Sequence, residues 1–345
     1  MTPGRPSVAI AGAGLMGRWH ARAVAQAGAR VIAVVDPDLS RARRLAAACP
    51  GSRPVAALAE ALESSEVVHI CSPVATHEAL ARTALEAGCH VLVEKPLAAT
   101  LAGATDLVEL AAARRLMLCP VHQFLFQDGV RYAMAHLERV GAIQHVGVTI
   151  RSAGASREDT AGCDRIAIEI LPHPLSLLAR LLRDDLATLD WTVRHPAPGE
   201  LRLLTQAGST SVFVSVSMHG RPPLNQLELV GTKGTFELDL FHGFALAHME
   251  ATATRARKIG RPFVAGSKLV GAAGANLVRR ALRGETAYPG LGRLVAEFYR
   301  ALARGGPSPI PTEEALAVAR GSAHLADLLA REPDRRRSSA LVGAD

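Results

Sequence analysis

The chain has few of the features that mark secreted, membrane or zinc-binding proteins. It contains five cysteines in 345 residues, an odd number that never forms a CxxC pair, which argues against a disulfide framework or a structural zinc site. No uninterrupted apolar run approaches the roughly 18 residues of a membrane span, and no basic start leads into an apolar segment. The sequence therefore predicts a cytoplasmic protein with reduced, mostly buried thiols, no membrane span, no secretion signal and no metal site.

Aromatic residues are also scarce, and an excess of positive charge is confined to one segment. Aromatics make up 4% of the chain, and residues 251–290 hold eight Lys or Arg against one acid, which equals the whole net charge of +7. With few aromatics for base stacking, we expect no nucleic-acid binding. A solvated helical face is the interpretation that we favour, while attraction of a phosphorylated substrate, an anionic partner or a membrane surface stays open. The basic residues are Arg255, Arg257, Lys258, Arg261, Lys268, Arg279, Arg280 and Arg283.

What the chain does have is enough apolar sequence for two folded domains. Hydrophobic residues make up 49% of it. Over the first 120 residues, short apolar strands alternate with Ala-rich helical stretches, with strands near 7–11, 31–35, 67–71, 90–93 and 116–120. Repeated β–α alternation predicts a Rossmann-type, doubly wound parallel sheet that binds its ligand at the carboxyl ends of the strands.

The pattern changes from about Gln144 to segments in which apolar and polar residues alternate. This predicts a C-terminal domain built on a mostly antiparallel sheet. Helices are predicted near 174–183, 291–304 and 313–331. We place the first domain at 1–123, the second at 124–334 and a disordered tail at 335–345, with helix 313–331 as a candidate to pack back on the first domain. Because an open sheet needs cover for its exposed face, we also predict a homo-oligomer joined through it.

A glycine-rich turn follows the first predicted strand. The segment Val8–Gly17 reads as a strand that ends in GxGxxG and opens directly into a helix. We expect Gly12 to take the tight turn, Gly14 to leave room for phosphates and Gly17 to let the helix pack closely. Leu15 and Met16 begin the helix, whose unpaired N–H groups favour an anion. The spacing predicts a diphosphate site, although turns of this composition also occur without one.

The second strand ends at an acidic residue. Asp36 lies 19 residues beyond Gly17, close to the roughly 20 expected for the carboxylate that binds a ribose diol. An acid there favours NAD over NADP, because a 2′-phosphate would meet a like charge. Basic residues nearby leave NADP use open, namely Arg41, Arg43 and Arg44. The alternative for Asp36 is a turn-forming Asp-Pro-Asp segment.

The next two strand ends carry polar residues where the ribose and nicotinamide would pass. We predict coenzyme contacts there from Ser72, Pro73, His77, Glu94 and Lys95. Pro96 restricts the backbone of Lys95 and so holds the ammonium group in place. Taken in isolation, this Glu-Lys-Pro segment also fits a solvated loop.

In order along the chain, the segments GAGLMG, VVDPD, SPVATH and GCHVLVEKPLAAT resemble the Gfo/Idh/MocA family of nicotinamide-dependent oxidoreductases. The resemblance is specific through about residue 150 and looser through GTKGTFELD to the C-terminal helix. It implies a Rossmann domain, an α+β domain with an open sheet, and hydride transfer on a sugar, nucleotide sugar, cyclitol or related secondary alcohol or ketone.

The resemblance also implies a catalytic set of Lys95, His173 and Glu169. In it, His173 accepts the hydroxyl proton, Lys95 stabilises the alkoxide, and Glu169 orients or stabilises the imidazole. The sequence departs from the family where a common glycine is Pro172 and a frequent acid is Ser176. If Pro174 takes the first helical position, His173 becomes the helix N-cap and shares no simple helical face with Glu169.

Three other residues near this set have interpretations that need no role in catalysis. His122 and Gln123 could edge the active-site cleft or simply connect the domains, and His20 is interpreted as packing or capping. Two other classes of function also stay open, a non-catalytic dinucleotide-binding regulator or assembly partner and a redox-neutral enzyme with tightly held NAD. The reaction direction is open as well, because one acid–base pair serves both directions.

Overall fold

The structure, a computed structural model, describes residues 5–152, 159–249 and 255–332, with only the backbone described at 255–258. Its first sheet has six parallel strands in the order β3-β2-β1-β4-β5-β6. The strands are β1 (Ser7–Ala11), β2 (Arg30–Val35), β3 (Arg53–Val55), β4 (Val67–Ile70), β5 (His90–Val93) and β6 (Leu118–Pro120). The predicted Rossmann sheet is confirmed.

Helices cover both faces of this sheet. They are α1 (Leu15–Gln26), α2 (Leu39–Ala47), α3 (Ala59–Leu62), α4 (His77–Glu86) and α5 (Leu101–Arg114). The strands bury apolar side chains on both faces, in two separate clusters, as expected of a covered parallel sheet. The sequence missed β3, a three-residue edge strand, because Pro54 interrupts its pattern and proline fits a sheet only at such an edge.

The second sheet is mixed and has seven strands in the order β13-β12-β11-β7-β10-β9-β8. They are β7 (Ile143–Arg151), β8 (Thr192–Ala197), β9 (Glu200–Ala207), β10 (Thr210–Ser217), β11 (Leu224–Gly231), β12 (Gly234–Asp239) and β13 (Phe244–Met249). Every neighbouring pair is antiparallel except β7 with β10. The predicted, mostly antiparallel sheet is confirmed.

In the described part of the chain, six α-helices follow the first sheet. They are α6 (Asp128–Ala135), α7 (Thr160–Ile170), α8 (Pro172–Leu182), α9 (Arg255–Leu282), α10 (Leu291–Ala303) and α11 (Thr312–Arg331). One face of the sheet is buried through residues such as Val146, Val214 and Leu229. The other is more open, with Leu204 49% exposed opposite Phe213 on the neighbouring strand.

Two C-terminal helices join the parts of the chain. Helix α10 packs against α1, and α11 packs against both α5 and α8. Ala319 of α11 reaches the apolar cluster of the first sheet. The division at 123/124 remains a proposal, and the tail 335–345 lies outside the described residues.

The basic segment forms much of the single long helix α9, which packs against β13. Several apolar side chains of α9 are exposed, with Phe263 at 82% and Leu282 at 84%. Part of its charge fixes the helix to the body: Arg283 and Arg279 lie 2.7 Å and 3.6 Å from Asp128. Residues 251–254 and the side chains of Arg255, Arg257 and Lys258 lie outside the described part.

Two further predictions concern cysteines and membranes. All five cysteines are described, and all five are buried as thiols, as the sequence predicted. Among the helices of the described part, none combines the length and apolar character needed to cross a bilayer.

Candidate active site

The glycine-rich turn joins β1 to α1 by close backbone contacts. Gly12 has φ +106°, and a Cβ there would lie 2.7 Å from the carbonyl carbon and oxygen of Cys71. A Cβ on Gly17 would overlap the carbonyl oxygen of Gly12. Both positions therefore exclude a side chain, for the reasons that the sequence predicts.

Gly14 is different because the space beside it is open. Apart from Gly14 itself and its two chain neighbours, no atom of the described residues lies within 4 Å of where its Cβ would be. Helix α1 begins at the next residue with no side-chain cap and no acid in its first turn, so its N–H groups and positive dipole end are available. Leu15 and Met16 supply the first of those N–H groups. This turn fits the diphosphate of a dinucleotide.

Asp36 ties the end of β2 to the same turn. Its Oδ2 accepts the N–H of Ala13 at 2.9 Å, and its Oδ1 accepts the N–H of Asp38 at 2.9 Å. The turn interpretation and the binding interpretation are thus compatible. Two carboxylate oxygens offer about four acceptor positions, so Asp36 can also accept ribose hydroxyls.

The residues after β4 hold two loops together. The hydroxyls of Ser72 and Thr76 lie 2.7 Å apart, and Pro73 precedes the short helical turn 74–76. The buried ring of His77 places its two nitrogens 2.9 Å and 2.8 Å from the carbonyl oxygens of Ser72 and Pro96. Both ring nitrogens of His77 thus face main-chain carbonyls and hold these loops together, and its contact with the coenzyme stays a prediction.

Lys95 is positioned from both ends. Its N–H donates to Glu94 Oε2 at 3.2 Å, and its Nζ donates to the main-chain carbonyl of Glu169 at 3.1 Å. The peptide bond between Lys95 and Pro96 is cis. Burial lowers the pKa of Lys95, and the carboxylates of Glu94 and Glu169 oppose that shift. The ammonium group is thus held between the first sheet and α7, not on a solvated loop.

His173 lies in the first turn of α8, close enough to Lys95 and His122 for both to affect its pKa. Its ring stacks on Phe124 with centroids 4.4 Å apart, and its Nδ1 is buried without a hydrogen-bond partner among the described residues. Burial lowers the pKa of His173 well below its usual value, and the ammonium group of Lys95 and the neighbouring His122 lower it further. Burial, followed by the charge of Arg180, lowers the pKa of His122 to about 3. Both imidazoles are therefore neutral at working pH.

Two expectations about this region need correction. Helix α8 begins at Pro172 with Leu171 as its N-cap, so His173 is inside the first turn and is not the cap. Among the described residues, the main-chain carbonyl of Glu169 accepts a hydrogen bond from Lys95, and no hydrogen bond joins Glu169 to His173. Stacking on Phe124 orients the imidazole instead. The segment HQFLF, directly after β6, was the available signal for Phe124, but it could not show which ring Phe124 meets.

His20 was interpreted as packing or capping, and it is fully buried in α1 but also makes specific hydrogen bonds. Its ring nitrogens lie 2.9 Å from His69 Nδ1 and 3.1 Å from Glu94 Oε1. His69 Nε2 in turn lies 2.8 Å from the hydroxyl of Tyr299. Gln123 is buried in the short helical turn 123–126 that follows β6. Among the described His, Cys, Asp and Glu residues, no group of three is placed to hold a metal ion.

Comparison with known proteins agrees with this geometry. Residues 7–122 match the family model described as an oxidoreductase family with an NAD-binding Rossmann fold. Inositol 2-dehydrogenase 4 of Saccharopolyspora erythraea is 41% identical over 229 residues, which cover 61% of this chain and 66% of that protein. The matched part of the chain, residues 7–122, belongs to the Gfo/Idh/MocA family of oxidoreductases.

Two other comparisons extend the likeness. UDP-N-acetylglucosamine 3-dehydrogenase of Acidithiobacillus ferrooxidans is 32% identical over 46% of this chain and 44% of its own length. Both curated relatives are thus covered over less than two thirds of their length. The structure of GenD2 from gentamicin A biosynthesis, in complex with NAD, superposes with TM-score 0.72 at 23% identity and covers 96% of each chain. This structural likeness shows the fold.

Proposed function

We propose that this protein transfers a hydride between a nicotinamide coenzyme and the CH–OH carbon of a cyclitol or sugar, or the corresponding ketone. The observation that carries the proposal is the convergence of Lys95, His173 and His122 beside the carboxyl ends of β5 and β6. In a doubly wound sheet, a dinucleotide binds along the edge formed by the carboxyl ends of the strands. A cation and a neutral imidazole at that place are the groups that alcohol–ketone chemistry needs.

The coenzyme would be held by the residues whose geometry fits it. The N–H groups after Gly14 would bind the diphosphate, and Asp36 would bind the adenosine ribose. Ser72, Pro73 and the Glu94–Lys95 segment would border the nicotinamide half, with His77 fixing those loops. The acid at position 36 supports NAD, while NADP stays open because Arg41 and Arg44 are near. When bound, the nicotinamide supplies the hydride acceptor or donor.

His173 and Lys95 divide the proton chemistry between them. Because burial keeps His173 neutral, its ring can accept the proton of a substrate hydroxyl. Lys95 places its ammonium group where negative charge develops on that oxygen. Its bond to the carbonyl of Glu169 fixes the direction of the side chain. In the reducing direction, the same groups return a proton to the carbonyl oxygen.

The substrate class follows from the relatives. Their names are inositol 2-dehydrogenase and UDP-N-acetylglucosamine 3-dehydrogenase, so a polyhydroxylated ring is the common feature. We propose such a ring for this chain, with a phosphorylated or nucleotide-linked form included in the test. A cytoplasmic location and a homo-oligomer joined through the open sheet complete the proposal. The family and fold support these points, and the exposed face around Leu204 supports the last.

The experiment is a substrate panel read by reduced-nicotinamide absorbance. Cyclitols, sugars and nucleotide sugars are offered with NAD and NADP to the wild type, to Lys95→Met and to a surface control, Lys233→Met. We expect turnover on at least one ring, a loss of about a thousandfold in Lys95→Met with coenzyme binding retained, and no change in the control. Tight coenzyme binding without turnover on any substrate would favour a non-catalytic protein. Coenzyme that co-purifies, with product but no net absorbance change, would favour redox-neutral catalysis.

A further inference from the structure

Four buried side chains form one continuous hydrogen-bonded row across the first sheet. Tyr299 of α10 meets His69 of β4 at 2.8 Å, and His69 meets His20 of α1 at 2.9 Å. His20 then meets Glu94, at the end of β5, at 3.1 Å. The two imidazoles are fully buried, while Tyr299 and Glu94 are 6% and 8% exposed. We call these residues the buried row.

The row has one arrangement of protons that satisfies every member. A buried phenol needs an acceptor, and the described residues give the hydroxyl of Tyr299 only His69 Nε2. If that nitrogen accepts, the proton of a neutral His69 is on Nδ1, which then donates to His20 Nδ1. His20 in turn carries its proton on Nε2 and donates to the carboxylate of Glu94. All donors therefore point towards Glu94.

The electrostatics of the row agree with this direction. Burial, together with the nearby His20, lowers the pKa of His69 well below its usual value, so that ring stays neutral and carries one proton. Burial also raises the pKa of Tyr299 well above its usual value, so the phenol keeps its proton and acts as a donor. If Glu94 were protonated, it would donate to His20 and every donor of the row would point towards Tyr299. The phenol proton would then have no acceptor.

Glu94 is the end of the row that meets the active site. Its second oxygen accepts the N–H of Lys95 at 3.2 Å. We infer that His20, His69 and Tyr299 are positioning residues, which fix the carboxylate of Glu94 and through it the backbone of Lys95. The inference rests on the proposed function only for its catalytic consequence. The row also joins α1, which opens at the glycine turn, to the loop that carries Lys95.

The first test reads the protons directly and needs neither coenzyme nor substrate. Long-range proton–nitrogen NMR on protein with ¹⁵N-labelled histidine distinguishes the two neutral tautomers, and His20→Gln and His69→Gln assign the signals. In the wild type we expect His69 in the Nδ1–H form and His20 in the Nε2–H form. Finding His69 in the Nε2–H form, or His20 as an imidazolium, would overturn the proposed direction.

The second test breaks the row at its far end. Tyr299→Phe keeps the ring and removes the donor, while Tyr132→Phe is the matched control outside the row, where the hydroxyl accepts from Arg139. We expect Tyr299→Phe to convert His69 into a mixture of tautomers and to speed hydrogen exchange of the Lys95 amide about tenfold, because its acceptor is no longer fixed. If the hydrogen-exchange rate of the Lys95 amide is unchanged in a folded Tyr299→Phe protein, the positioning role is contradicted.

The third measurement connects the row to turnover. With a substrate from the panel, Tyr299→Phe should lower kcat about tenfold and leave the KM for coenzyme within about twofold, because the Lys95 backbone shifts while the diphosphate site does not. Equal kcat in both Tyr variants would contradict that consequence. If the wild type turns over nothing, the proposed function fails, whereas the tautomer and exchange results still decide the inference.

Discussion

The ammonium nitrogen of Lys95 lies 3.1 Å from the main-chain carbonyl oxygen of Glu169. The side chain of Lys95, which follows β5 of the first sheet, thus ends at helix α7. Helix α7 leads into α8, which carries His173. The contact needs only the backbone of Glu169, so the carboxylate of that residue acts on Lys95 through its charge alone. This separation of roles can be tested by changing the charge without changing the backbone.

The charge of Glu169 should set where activity is lost at high pH. Burial lowers the pKa of Lys95 from 10.5, and the carboxylate of Glu169 favours the ammonium form and opposes that shift. In Glu169→Gln the pKa of Lys95 falls further, so the alkaline loss of activity moves to lower pH. The measurement is a pH profile of kcat, with Glu109→Gln on the exposed face of α5 as control. A profile that moves to higher pH, or not at all, would contradict this account.

Gly14 and Gly17 should respond differently to an added methyl group. Gly14→Ala meets open space, so the free energy of unfolding should stay within about 0.5 kcal/mol while coenzyme affinity falls at least about tenfold. Gly17→Ala meets the Gly12 carbonyl and should lose both stability and binding. Denaturant titration and coenzyme fluorescence measure the two properties. If Gly14→Ala binds the coenzyme as tightly as the wild type does, the glycine turn is not part of the binding site.

Asp36 should control the choice between coenzymes. Replacing it in Asp36→Ser removes the charge that disfavours a 2′-phosphate, so NAD affinity should fall about tenfold and the ratio of NADP to NAD affinity should rise. Asp38→Ala is the control, because Asp38 caps α2 through the N–H groups of Ser40 and Arg41. The control should melt at a lower temperature without changing coenzyme preference. Calorimetry with NAD and NADP measures the affinities of both variants. It shows whether Asp36→Ser, and not Asp38→Ala, changes the ratio of NADP to NAD affinity.

His122 should make the protein less stable in acid. Its pKa is lowered from 6.5 to about 3 in the folded protein, so between these values the unfolded chain takes up a proton that the folded chain does not. The sign is therefore a loss of stability as the pH falls. From pH 7.5 to pH 5 the contribution is about 2 kcal/mol, which His122→Gln should remove.

Denaturant titrations of wild type and variant at both pH values measure that difference. His136→Gln, at the end of α6 and outside the site, serves as the matched control. We expect the control to lose as much stability in acid as the wild type does. The same loss in His122→Gln would show that His122 is not the group responsible.

The open face of the second sheet should hold the proposed oligomer together. Leu204 is 49% exposed on that face, and Leu204→Glu places a charge where a partner sheet would pack. Light scattering should show a smaller species for this variant at the same concentration. Leu277→Glu on α9, where the side chain is 70% exposed, should leave the assembly intact. If only Leu277→Glu reduces the size of the assembly, the interface lies on α9. If the wild type is a monomer, the prediction of an oligomer is wrong.

The local parts of the site could be predicted from the sequence because their physics is local. Gly12, Gly14 and Gly17 are fixed by the strand–turn–helix geometry of a few residues, and the spacing to Asp36 follows from one β–α–β unit. The alternation of strands and helices predicted the parallel sheet. The short edge strand β3 was missed because three residues with a proline carry too weak a pattern.

The contacts between distant segments could not be predicted in the same way. Nothing near His20 in the sequence indicates that it meets Glu94, and nothing near His173 indicates a stack on Phe124. The start of α8 at Pro172 was also misplaced, because Leu171 continues directly from α7 and takes the N-cap position. Each of these contacts depends on how elements from different parts of the chain pack.

By itself, the sequence determined that a dinucleotide turn opens this chain, that an acid ends the second strand, and that Lys95 is held beside a proline. These are properties of residues close together in the chain, where backbone geometry leaves few alternatives. The tertiary structure alone decided that Lys95 meets the carbonyl of Glu169, that burial keeps His173 and His122 neutral, and that Tyr299 reaches Glu94 through two histidines. The reason is that desolvation and long-range hydrogen bonds depend on the packing of α1, α8 and α10 against the first sheet and its edge.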